Sequence, residues 1–185
     1  MEYSVIRSRR RTFSIQVTKS GVVIRAPLFA SKKSIASFAE KYEDWARRRA
    51  EKLEGLVAEA EKAPLTKDDL ERLAWEAMRV IPERARHFAG KIGVSYGRIT
   101  VRCQRTRWGS CSAKGDLNFN CLLMLTPPEV LDSVVVHELC HIKHMDHSEA
   151  FYAEVLRACP DYYVWNRWLR ENGKLLLLRV PRQQK

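Results

Sequence analysis

Four of the five histidines in this 185-residue chain fall within one short stretch, HELCHIKHMDH, running from His137 to His147. Histidine titrates near neutral pH and is the commonest metal ligand. His137 and His141 are four positions apart, so a helix carries both imidazoles on one face, one turn above the other. Two such nitrogens can meet one ion at the ~2.0–2.1 Å that zinc requires. Glu138 follows His137 directly and points about 100° around the helix. That is too far to join the same ligand set, but it suits a water on the open side of the ion. His-Glu-x-x-His with this arrangement supplies two ligands and a general base for hydrolysis.

Zinc needs a third protein ligand, and His147 supplies it best. The run His137, His141, His147 has the spacing of the metzincin motif, in which a glycine three residues after the second histidine turns the chain away from the helix. Here that position holds His144, so the chain is expected to turn differently, around Met145 and Asp146. Glu149, Glu154 and His144 are the other candidate third ligands. Cys140 lies inside the cluster but reads as a small buried apolar residue. With this chain's histidine and glutamate content, His-Glu-x-x-His arises by chance about once in a hundred such sequences. Nickel or cobalt would also suit three histidines, because affinity order alone does not select zinc.

A helix must carry this stretch. Thr126 reads as its N-cap, Pro127 as its first residue and Glu129 as the partner in a capping box. Residues 3–17 read as a strand, followed by a TKSG turn and a second strand, VVIRAP, together forming a hairpin. A long helix is expected over 31–62, capped by Ser31 or Ser34, and a second over about 66–90, opened by Thr66 with Asp69 and closed by Gly90 and Gly93. VSYGRITVRCQ and DLNFNCLLML read as strands separated by RTRWGSCSAKG. Beyond His147 come a helix to about Leu156 and a last one ending at Gly173. The fold class is α+β: a mostly antiparallel sheet with the histidine helix against it. The expected division is 1–65, the hairpin and long helix, and 66–185, the metal-binding core.

Hydrophobic residues make up 45% of the chain and charged residues 30%, the balance of a soluble globular protein. No apolar run approaches the ~20 residues of a membrane span, so no membrane partner is expected. The start lacks the apolar stretch of a secretory signal, and the five cysteines contain no CxxC pair. A cytoplasmic protein with reduced thiols is the expectation. The net charge of +11 makes nucleic acid a candidate partner.

RWGSCSAKGDLNFN and PPEVLDSVVVHELCHIKHMDHSEAFY, with the N-terminal RRRT and VIRAP, resemble the small bacterial YgjP-like proteins, a family of predicted zinc metallopeptidases also described as metal-dependent hydrolases. The similarity extends more distantly to SprT-like and WLM proteases. It implies a zincin-like α+β core, zinc on His137, His141 and His147, and Glu138 as base. In zincins a strand beside the active-site helix edges the cleft. Gly109 would then allow close backbone approach and Trp108 would wall the cleft. Arg107 would hold a substrate carboxylate or phosphate, stabilise developing oxyanion charge, or pair with an internal carboxylate such as Asp132. The expected activity is a zinc-dependent metallohydrolase acting on a peptide or protein. The alternatives are a phosphohydrolase acting on nucleotides or phosphate esters, and a DNA-associated SprT-like protease.

Overall fold

The computed structural model describes residues 2–18 and 20–181. They fall into two compact units, Met1–Glu59 and Ala60–Lys185.

The first unit holds β1 (Tyr3–Ser8), β2 (Ser14–Thr18) and β3 (Gly21–Pro27), with β3 central, parallel to β1 and antiparallel to β2. The β2–β3 hairpin matches expectation, but the single strand over 3–17 does not form. The consecutive cations Arg9–Arg11 have no alternating apolar face, and the chain turns there, with the Arg10 N–H donating to the Ser8 carbonyl. Helix α1 (Lys32–Lys41) is capped by Ser31, whose hydroxyl accepts from the Ser34 N–H. The long helix breaks at Tyr42, whose N–H goes to the Ala39 carbonyl, and α2 (Glu43–Lys62) begins directly after it. Ile24, Ala26, Ile35 and Ala39 form the core of this unit.

The second unit begins its main scaffold with α3 (Lys67–Ile92), opened by the Thr66–Asp69 capping box and closed by Gly93 in a left-handed conformation at φ 75°. The helix runs through Gly90 rather than ending there. Strands β4 (Ile99–Arg102), β5 (Gly109–Cys111) and β6 (Leu117–Asn120) form a sheet with β6 central, parallel to β4 and antiparallel to β5. A mostly antiparallel sheet is therefore not what forms. In both sheets the last strand inserts beside the first, and the intervening dozen or so residues give the length a parallel crossover needs.

The register pairs Arg102 with Asn120, so the next residues, Cys103 and Cys121, lie side by side as a disulfide with Cα atoms 5.4 Å apart. This corrects the expectation that all five cysteines are reduced. Cys111, Cys140 and Cys159 are free.

A 3-10 turn, Cys121–Leu125, leads into α4 (Pro128–Cys140), followed by α5 (Glu149–Ala158) and α6 (Tyr162–Leu178). Thr126 does not cap α4. Its hydroxyl donates back to the Leu123 carbonyl, and Pro127 occupies the cap without a side-chain bond. Val130, Leu131, Val134, Val135, Val136, Leu139 and Cys140 are all buried, so α4 is apolar on nearly every side and is a core helix. It packs against α3, α5, α6 and β5. Gly173 lies inside α6 and does not end it. No helix among the described residues is long and apolar enough to cross a membrane.

Candidate metal centre

His137 and Glu138 stand in the last turn of α4, and His141 follows its final residue. The chain then makes a tight turn in which the Lys143 and His144 N–H groups donate to the Cys140 carbonyl. A bend follows at Met145 and Asp146, and Ser148 caps α5. No non-glycine residue described has a positive φ, so His144 makes this turn without left-handed geometry.

The turn brings His147 back over α4. Its Nε2 lies 3.2 Å from that of His137, which lies 3.2 Å from that of His141. One ligand atom from each of the three residues falls within 4.8 Å of the others. Tetrahedral zinc with bonds near 2.0–2.1 Å places its nitrogens about 3.3–3.4 Å apart, so the two 3.2 Å pairs match the separation such an ion requires. Phe151 forms a fully buried floor, its ring 5.0, 4.6 and 5.0 Å from those of His137, His141 and His147.

Protonation favours the same use. Burial, reinforced by the charges of the other two imidazoles, pushes His137 down to about 4, and burial also lowers His141. Both are neutral at pH 7, as a ligand must be. The Nδ1 of His141 donates to the His144 carbonyl at 3.0 Å, which frees its Nε2 lone pair for an ion. The Nδ1 of His137 lies 2.9 Å from the Tyr162 hydroxyl.

The other candidates lie elsewhere. Glu154 pairs with Lys143 at 3.0 Å and Arg157 at 2.6 Å. Burial pushes the Cys140 thiol up to about 12, far from the thiolate that binds metal. Neither Glu149 nor His144 joins the cluster, and the three histidines are its only members among the described residues.

Glu138 is 6% exposed. Burial raises its carboxyl to about 8, opposed by the Arg107 charge and a hydrogen bond from the Cys111 N–H. The segment Arg107–Gly109 therefore meets this glutamate. Arg107 does not pair with Asp132, whose carboxylate is held by Arg84 through two bonds of 2.7 and 2.6 Å. Trp108 borders a cavity of about 150 Å³ with Val134, His137 and Leu169, and its ring packs where a Cβ on Gly173 would sit, 2.9 Å from Cζ2.

Gly109 matters through the same crowding. A Cβ there would stand 2.5 Å from Glu138 Oε1 and 2.7 Å from its Cγ. The Cγ cannot swing clear without turning the whole buried side chain. Gly109→Ala is therefore expected to cost about 1–3 kcal/mol by overpacking, read as a fall of several degrees in Tm. An unchanged melting curve would mean that Glu138 moves freely.

Tyr162, Asn166 and Phe151 were not singled out from the sequence. Tyr162 is brought to His137 only by packing of α6 on α4, and no local spacing signals it.

The chain is similar to two solved metallopeptidase zymogens. One is Pyrococcus abyssi abylysin, 19% identical, covering 51% of this chain and 97% of that one at a TM-score of 0.47. The other is Methanocaldococcus jannaschii jannalysin, 18% identical, covering 49% and 95% at a TM-score of 0.41. No curated protein sequence matches the chain. The family model of the YgjP-like metallopeptidase domain matches residues 70–172, a span that takes in Arg107 to Gly109, Glu138 and all three clustered histidines. With more than half of its length matched, the chain belongs to the YgjP-like metallopeptidase-domain family.

Proposed function

We propose that the chain is a zinc-dependent metallopeptidase in which His137, His141 and His147 hold the ion and Glu138 is the general base. The observation that carries this reading is the meeting of three imidazoles, those of His137 and His141 kept neutral by burial, on the helix that also carries the buried Glu138 carboxyl. With an ion bound by these three histidines, the site would gain a water of lowered pKa and a Lewis acid for the scissile carbonyl. Glu138 takes the proton of the attacking water and returns it to the leaving amine. At about 8 the carboxyl keeps its proton at neutral pH in the metal-free chain, and a dication beside it would draw it back towards the charged form that a base needs.

Strand β5 is an edge strand, so an extended peptide can add to it by main-chain hydrogen bonds. Trp108 then walls the cleft, and Arg107 offers a cation to a substrate carboxylate. The engagement of Lys143, Arg157 and Arg84 elsewhere supports a peptide over a phosphate ester. Lys143 and Arg157 are engaged by Glu154 and by carbonyls at the end of α3, and Arg84 by Asp132. They do not converge on the histidines.

Metal analysis of the purified protein, then a mixed peptide and nucleotide screen with and without chelator, tests the reading. Chelator-sensitive cleavage of peptides is expected. Release of phosphate instead would overturn the substrate class. Nucleic-acid association, suggested by the +11 charge, would appear as binding that falls steeply with salt.

A further inference from the structure

We propose that Tyr162, held in place by Asn166, is the positioning residue that commits His137 to metal binding. The inference rests on the three-histidine reading above. The Nε2 of His137 faces the Nε2 atoms of His141 and His147 at 3.2 Å each. Its other nitrogen points the opposite way, 2.9 Å from the Tyr162 hydroxyl. A neutral imidazole carries one proton, and one that gives its Nε2 lone pair to a cation carries that proton on Nδ1. Nδ1–H therefore donates to the Tyr162 oxygen.

Asn166 Nδ2 donates to the same oxygen at 3.1 Å. A phenol oxygen accepts at most two such bonds, so both acceptor positions are filled and the hydroxyl is held by two donors. Tyr162 is buried at the first position of α6, and Asn166 lies one turn further along the same helix. The contrast with His141 is informative. That ring finds its acceptor in the loop that follows it, at the His144 carbonyl. His137 sits inside α4, where the backbone carbonyls are already engaged, so its acceptor must come from another helix. The reverse arrangement, with the hydroxyl donating to Nδ1, would leave the proton on Nε2 and oppose the ion.

Zinc affinity is to be measured by competition with a chromophoric chelator for the wild type, Tyr162→Phe, Asn166→Ala and, as control, Tyr163→Phe on the exposed neighbouring ring. Long-range proton–nitrogen correlation of the zinc-loaded proteins reports the His137 tautomer. Phenylalanine keeps the ring and removes only the hydroxyl. Tyr162→Phe is expected to bind zinc about 10–100-fold more weakly and to lose the slowly exchanging Nδ1–H of His137. Asn166→Ala, at a half-buried position that tolerates truncation, should weaken binding in the same direction by less, and Tyr163→Phe should not change it. Unchanged affinity in Tyr162→Phe, or an Nε2-protonated His137 in the loaded wild type, overturns the positioning role alone. A wild type that takes up no zinc overturns the three-histidine reading, and this inference falls with it.

Discussion

Alanine at His137, His141 or His147 is expected to abolish stoichiometric zinc binding. Removing a residue that merely supports a metal ligand typically weakens affinity about 10–100-fold, and deleting a ligand outright should exceed that. The three variants should behave alike, because the same small volume is bounded by all three rings. Elemental analysis after dialysis against a weak chelator gives the readout. His147→Ala is the most telling, since its ligand arrives from the bend after α4 rather than from the helix itself. Full zinc in that variant would move the third ligand to Glu149 or Glu154, although Glu154 is already held by Lys143 and Arg157.

Glu138→Gln is expected to keep the metal and lose about 10²–10⁴ in hydrolytic rate, the usual worth of a positioned general base. The amide has nearly the same shape and cannot accept the proton. A second consequence concerns the metal-free protein. The folded carboxyl titrates near 8, above its ordinary value of 4.5, so the folded state binds the proton more tightly than the unfolded chain. Stability from this group is complete below pH 4.5 and is lost as pH rises towards 8. The glutamine variant lacks that loss, so its advantage in Tm over the chelated wild type should grow across this window. Wild-type turnover by Glu138→Gln would remove the residue from the base role.

What the sequence made legible follows from the range over which each feature acts. His137, Glu138 and His141 are fixed relative to one another by helical pitch alone, and the Thr66–Asp69 capping box spans a single turn. Those arrangements needed no tertiary information. The Cys103–Cys121 bridge, in contrast, follows from the parallel register of β4 and β6, which residue spacing does not state. Asp132 was read as a partner for Arg107, but helix packing delivers Arg84 to it. Gly173 looked like a helix terminator because glycine commonly ends helices, whereas here its missing Cβ admits the Trp108 ring. Thr126, followed by two prolines, had the residue types of an N-cap, yet the preceding 3-10 turn claimed its hydroxyl.

The crossover between β4 and β6 also bears on how the site opens and closes. The segment carrying Arg107, Trp108 and Gly109 is not a flap hinged on flexible ends. The Asn120 side chain donates to the Gln104 and Arg107 carbonyls, the Asn120 N–H donates to the Trp108 carbonyl, and β5 pairs with the same central strand. Detaching the wall from Glu138 would therefore mean dismantling the sheet that also carries the core residues Leu117 and Phe119. The wall and the core belong to one cooperative unit, so the cleft is preformed before any substrate arrives. If the proposed peptide adds to β5, binding draws little conformational entropy from this side of the site, and the ordering falls to the peptide.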